Sequence, residues 1–253
     1  MAAKQLSRNI HKRLFSSEAS KGRIDLSTML FGHPTGAFQM NKFVVGCPET
    51  KEAALIDCGA ETDQEMSLFT EWLGSKEYKV TKILQTHAHL DHVLGIPNAL
   101  SVFPKMPVHI HSFEEKNWNE CMERANQYGL SPRYSSLPDW HDKDELEVVL
   151  VDDIDSVQVG NLKFRVLFTP GHSPGHVCFY NDTHKFMFGG DLLFQGSIGR
   201  TDLPYCSPDD MMKSLKNVFE ELSDDVLVLP GHGNPTTIGN ERSTNPFVAQ
   251  ALS

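Results

Sequence analysis

Apolar positions along the chain recur at two periods, and the places where one gives way to the other mark its elements. Leu26–Phe31 and Phe38–Val45 alternate like two antiparallel strands joined by a Gly32-His33-Pro34-Thr35-Gly36 turn. Ala53–Ile56 reads as a third strand, stopped by Asp57-Cys58-Gly59. A helical period follows from Asp63 to Leu73, and Val80–Thr86 then returns to an apolar, β-branched run. Val93–Leu100 can begin a helix, Val108–His111 reads as a strand and Phe113–Tyr128 as a helix. Ser131–Glu145 is polar and punctuated by proline, which predicts a loop or lid. Leu162–Phe168, Val177–Tyr180 and Lys185–Phe188 are closely spaced strands; Asp209–Leu222 is a helix with an acidic start, and Val226–Leu229 is the last clear strand. Two sequential groups of strands, each followed by helix, predict an α/β protein, one domain over residues 24–253, with two sheets face to face and helices outside.

Composition narrows what such a domain can do. No apolar run approaches the roughly 18–20 residues of a membrane-spanning helix, so no membrane partner is expected. A net charge of −10 argues against a nucleic-acid partner. The basic exception is the N-terminus. Lys4, Arg8 and Lys12 share one helical face of residues 1–15, with Leu6, Ile10 and Leu14 roughly opposite and no acid among them. That is the composition of a mitochondrial presequence, with a plastid address also compatible, and Arg13-Leu14-Phe15 before Ser16-Ser17 resembles a processing site. The five cysteines, Cys47, Cys58, Cys121, Cys178 and Cys206, form no Cys-x-x-Cys pair and read as reduced thiols.

The chemistry concentrates where strands end. The run after the fourth strand reads Thr86-His87-Ala88-His89-Leu90-Asp91-His92, with three imidazoles and a carboxylate on a strand-to-helix loop. Three later segments share its grammar, an apolar strand leading to glycine and then one metal-competent side chain: Phe168-Thr169-Pro170-Gly171-His172, Phe188-Gly189-Gly190-Asp191 and Leu229-Pro230-Gly231-His232-Gly233. Glycine permits sharp turns and close backbone approach, so four such strand ends imply one shared rim. Histidine nitrogen and carboxylate oxygen at an open site suit zinc, manganese or iron.

This series, with Gly199-Arg200-Thr201-Asp202 and the tail Gly231-His232-Gly233-Asn234-Pro235-Thr236-Thr237-Ile238 through Thr244-Asn245-Pro246-Phe247, resembles the metallo-β-lactamase superfamily, and within it the short glyoxalase II-like hydrolases. The resemblance implies an αββα sandwich holding two divalent metal ions, zinc first and iron or manganese as alternatives. His87, His89 and His172 would hold one ion; Asp91, His92 and His232 would hold the other, with Asp191 bridging both. The implied activity is that of a metal-dependent thioester hydrolase acting on a small glutathione-derived thioester such as S-lactoylglutathione. Its nucleophile would be hydroxide shared by the ions, with Asp91 as the catalytic carboxylate that aims it.

A second resemblance implies a different reaction. Mitochondrial persulfide dioxygenases share the superfamily and the Gly-Arg-Thr-Asp segment, and use one iron on two histidines and an aspartate, here His87, His172 and Asp191. Their first motif carries cysteine where this chain has His89, which favours the hydrolase. Among the remaining residues, Asp57 is read either as orienting a metal ligand or as a turn residue, and His176 as packing or hydrogen-bonding beside the site. Arg200 and Asp202 are read as a rim ion pair ahead of a substrate contact, and His109 and His111 as ordinary strand residues. With the chain ending at Ser253, soon after His232, the substrate pocket is expected from the sandwich rim and the 131–145 loop, where Arg133, Tyr134 and Trp140 are available.

Overall fold

Six strands in sequence order form the first sheet: β1 (Leu30–Thr35), β2 (Met40–Gly46), β3 (Glu52–Ile56), β4 (Lys79–Leu84), β5 (Val108–Ile110) and β6 (Val148–Leu150). The first two pairings are antiparallel and the last three parallel. The second sheet comprises β7 (Ser156–Val159), β8 (Leu162–Phe168), β9 (Val177–Asn181) and β10 (Phe186–Gly190). After the small hairpin β11 (Leu193–Phe194) and β12 (Ser197–Ile198), it is completed by β13 (Leu227–Pro230) and β14 (Thr236–Thr237). Its order is β14-β13-β10-β9-β8-β7, with β10 and β13 parallel. Among the described residues there are seven α-helices: α1 (Asp63–Lys76), α2 (Leu90–Val93), α3 (Ile96–Val102), α4 (Glu115–Gln127), α5 (Pro208–Glu221), α6 (Ile238–Thr244) and α7 (Pro246–Ala251). This computed structural model describes residues 26–58, 62–103, 105–130, 136–152 and 154–253.

Strand alternation builds three apolar layers. On β3, Ala54 and Ile56 face the second sheet, where Phe164, Phe179, Phe188 and Leu229 meet them with Phe43 and Val45. Ala53 and Leu55 point the other way, against Phe69 and Leu73 of α1 and Trp118 and Cys121 of α4. The second sheet repeats the scheme. Val177 and Phe179 are in the central layer, while Cys178 and Tyr180 join Leu215 and Phe219 of α5 outside it. Strands buried on both faces read as continuous apolar runs, which is why these segments stand out in the sequence. The architecture is the expected αββα sandwich.

Three local expectations are corrected. The first turn falls at Gly36–Gln39, because β1 runs on through His33-Pro34-Thr35. Pro34 is tolerated there because β1 is an edge strand. The single helix read over Val93–Leu100 is two short ones, α2 and α3, and Pro97, which lacks an N–H, sits in the first turn of the second. Trp140 does not reach the cavity that opens onto the site: it is buried edge-on to Trp118, with ring centroids 5.5 Å apart, and the Trp118 Nε1–H donates to Pro138 O. Arg133 and Tyr134 lie outside the described residues, as does the basic segment 1–15.

Parallel strands end on one side, and this places the site. β3 and β4 of one sheet and β10 and β13 of the other deliver Asp57, the Gln85–His92 loop, Asp191 and His232 to a common rim, and His172 arrives from the turn after β8.

Candidate metal centre

His87, His89, Asp91, His92, His172, Asp191 and His232 meet at that rim. His87, His89 and His172 offer donor atoms within 4.8 Å of one another; so do His87, His92 and Asp191, and Asp91, His92 and His232. Asp191 spans the groups. Its Oδ2 lies 3.5 Å from His172 Nε2 and 3.7 Å from His232 Nε2, and its Oδ1 lies 3.4 Å from His92 Nε2. Glycine is required to bring these strands so close. A Cβ on Gly231 would sit 2.2 Å from Asp191 Oδ1, and one on Gly190, at φ +47°, would sit 2.6 Å from His176 Nε2.

The rings are aimed from behind. Asp57, buried at the end of β3 in a left-handed conformation (φ +50°), accepts the Thr86 N–H at 2.7 Å and the Thr86 hydroxyl at 2.8 Å, and its Oδ2 lies 3.0 Å from His92 Nδ1. Thr86 Oγ1, its proton committed to Asp57, accepts from His87 Nδ1 at 3.0 Å. One carboxylate thereby turns the Nε2 atoms of both His92 and His87 toward the cluster, as outer partners of metal-binding histidines do. His172 Nδ1 donates to Arg200 O at 2.8 Å, leaving its Nε2 2.7 Å from His89 Nδ1. Asn41 on β2 donates to Pro230 O and Gly233 O and so fixes the His232 turn.

Charge and burial at the cluster favour a cation. His87 Nε2, His92 Nε2 and Asp191 Oδ1 are buried with no hydrogen-bond partner, and three such atoms at one spot are far outside the norm for a folded interior. Burial, reinforced by neighbouring imidazoles, holds His87 and His89 well below the usual histidine range, in the neutral form that ligates metals. His92 is pushed the opposite way: burial opposes its charge, but Asp191, Asp91 and Asp57 together outweigh it. Asp191 is likewise ionised against its burial, by His92, His172 and His232. The donor set suits a divalent ion, which would neutralise the carboxylates without a proton on His92.

The other sequence candidates fall around this centre. His176 is buried with Nδ1 2.8 Å from Thr169 Oγ1, and its Nε2 accepts the Asp191 N–H at 3.1 Å, so it braces the Asp191 backbone. Arg200 and Asp202 form an exposed two-pronged ion pair at 2.7 and 2.8 Å, and Arg200 also lines the cavity. Sequence reasoning missed Glu114 and Gln85. The buried Glu114 accepts from Ala88 N–H at 2.8 Å and from Gly175 N–H at 2.7 Å, tying the loops that carry His89 and His172. Gln85 Nε2 donates to His87 O and His92 O, closing the first loop on itself. Neither has a local signature: each partners residues that only the fold brings near.

Above the cluster lies a cavity of about 650 Å³. Asp91, His172, Asp191 and His232 reach it from below, and its walls come from α4 (Glu120, Glu123, Arg124) and Tyr128 just after it, from Phe38 in the β1–β2 turn and from residues 194–205. Among the described residues, the wall comes from α4, and residues 136–145 contribute nothing to it.

An αββα sandwich with His and Asp donors at its strand ends defines a class, and the comparisons agree with it. The sequence profile of the metallo-beta-lactamase superfamily matches residues 35–232, and the chain belongs to that superfamily. Within it, the chain is 34% identical over 218 residues to hydroxyacylglutathione hydrolase GloC of Haemophilus influenzae, covering 85% of this chain and 95% of that one. It is similar to the crystal structure of BLEG-1 B3 metallo-beta-lactamase, with TM-score 0.74 and 34% identity over 87% of this chain and 99% of the other. It is also similar to TTHA1623 in a di-iron-bound form, with TM-score 0.70 and 33% identity over 86% and 99%.

Proposed function

We propose that the chain is a metal-dependent hydrolase of small thioesters, S-acylglutathione first among them. The observation that carries it is the seven-donor cluster at the floor of a substrate-sized cavity, with the likeness to hydroxyacylglutathione hydrolase GloC supporting the thioester. His87, His89 and His172 would hold one ion and Asp91, His92 and His232 the other, with Asp191 between them. Two divalent ions there would supply a nucleophile at neutral pH and polarise the carbonyl. The chain's own residues do the rest. Asp57 and Thr86 fix the tautomers of His92 and His87. Asp91 places its Oδ2 2.9 Å from His232 Nε2, its companion donor, lines the cavity and would take the proton of the attacking water at its other oxygen. A thiolate leaves without a strong general acid, so no further acid is assigned.

The presence of His89 in contact with His172 favours this reading over a single iron on His87, His172 and Asp191. The test is metal analysis of protein begun at residue 16, with S-lactoylglutathione hydrolysis assayed beside oxygen uptake on glutathione persulfide. Two ions, whether zinc, iron or manganese, with hydrolysis is the expected result; one iron with oxygen uptake replaces it by a persulfide dioxygenase. Residues 1–15 are proposed as a mitochondrial address, to be checked by the location of a fluorescent reporter fused to residues 1–25.

A further inference from the structure

The cavity wall opposite the cluster carries a group that the hydrolytic chemistry leaves unused. Tyr205 holds a left-handed backbone conformation (φ +68°), unfavourable for any side chain with a Cβ. Its hydroxyl reaches across to α4 and lies 2.8 and 3.0 Å from the two oxygens of Glu120. Its ring receives the Lys116 ammonium 4.2 Å from the centroid and the Arg124 guanidinium at 5.4 Å. The contact joins elements from the two halves of the sandwich, and Tyr205, Glu120 and Arg124 all line the cavity that reaches Asp191.

Arg124 is the group this arrangement presents. Its Nη2 donates to Glu120 Oε2 at 2.9 Å and its Nη1 to Asn117 Oδ1 at 3.1 Å, two of the five N–H donors a guanidinium carries. Asn117 is itself held by Glu114, the carboxylate that ties the ligand loops, so Arg124 is braced against the centre. Two arginines line the cavity, and they differ in how they are held: Arg200 is largely exposed and paired with an exposed Asp202, whereas the Arg124 side chain is mostly buried and gripped from two sides. A pre-oriented guanidinium with free donors in a partly desolvated wall is a carboxylate receptor.

We propose that Arg124, held in place by Tyr205, is a specificity-determining residue that binds a carboxylate on the thiol portion of the substrate, making anionic thioesters the preferred class. This rests on the thioester-hydrolase reading, but its test does not depend on turnover. Calorimetric titration of the full chain with S-methylglutathione, which cannot be hydrolysed, and with its diethyl ester compares one shape with and without carboxylates. The acid should bind at least about tenfold more tightly than the ester, and Arg124→Gln should erase that difference while leaving ester binding unchanged. Tyr205→Phe, which keeps the ring and loses the contact to Glu120, should weaken the acid alone by about three- to tenfold. The proposal is overturned if wild-type protein does not prefer the acid, if Arg124→Gln keeps the preference, or if both variants lose acid and ester equally. Failure of the metal-loaded protein to hydrolyse any thioester would instead sink the hydrolase reading and leave the titration to decide this one.

Discussion

The chain carries two His-x-His pairs at neighbouring places in one sheet, and only one belongs to the cluster. His87 and His89 lie beyond the end of β4, while His109 sits in β5, in register with Leu84, and His111 just after it. Each neighbourhood has an aspartate beside a histidine Nδ1. Asp57 stands 3.0 Å from His92 in the first neighbourhood, and Asp152 stands 3.6 Å from His111 in the second. The second aspartate is taken up by the Ser112 N–H, and His111 Nδ1 accepts from the Phe113 N–H while its ring stacks on Phe168 at 4.6 Å. His109 is held neutral, with pKa about 4, by burial and the nearby Lys82. The difference is therefore one of surroundings. A histidine pair becomes a metal site when the backbone has left the sheet, glycines admit a carboxylate from another strand, and outer partners leave one nitrogen of each ring bare.

The largest expected effect comes from removing that incoming carboxylate. Asp191→Ala should lose bound metal, read by elemental analysis, and at least about 10³-fold in activity. Retained metal content would remove Asp191 from the donor set. Next, Asp57→Asn should cost about 10–100-fold in metal affinity, whereas Asp152→Asn should leave metal content unchanged. Equal effects would erase the distinction between the two neighbourhoods.

Acid gives the third contrast. His176 is buried neutral with pKa about 3, against about 6.5 for an unfolded histidine. Above pH 6.5 neither state is protonated there and the full stability is present. Between pH 6.5 and 3 the unfolded chain alone takes the proton, so stability falls as pH falls, approaching about 1.4 kcal/mol per pH unit for this one group. His109 acts in the same direction and stops near pH 4. Urea titrations of metal-stripped protein between pH 7 and 3 should therefore show a slope that both His176→Gln and His109→Gln flatten, with only His176→Gln still doing so below pH 4. The smallest effect belongs to His111→Ala, which should cost about 1 kcal/mol of stability through the lost aromatic stack, with metal and activity unchanged.

The donors were legible because each stands beside glycine or within a run of rare residue types at a strand end. The sandwich was legible because strands such as Val177–Asn181 are buried on both faces. What stayed hidden depends on partners distant in sequence. Glu114 reads as one more acid at a helix start, and nothing local says that it meets Gly175. The substrate wall was sought in 131–145 because that stretch is polar and rich in turns, yet Trp140 is core and the charged face of α4 forms the wall. Periodicity reports how much of a helix is buried, and α4 keeps its site-facing charges on the side that periodicity calls solvent.

Glu114 also bears on the order in which the molecule is made. Its carboxylate takes the backbone N–H of Ala88 on one oxygen and that of Gly175 on the other, so the two ligand loops are set against each other by one side chain. A growing chain that has emerged only through β6 holds four of the seven donors and lacks the partner loop that would complete its own. The sandwich must close before there is a centre to fill, and cargo arriving early meets a half-built cradle.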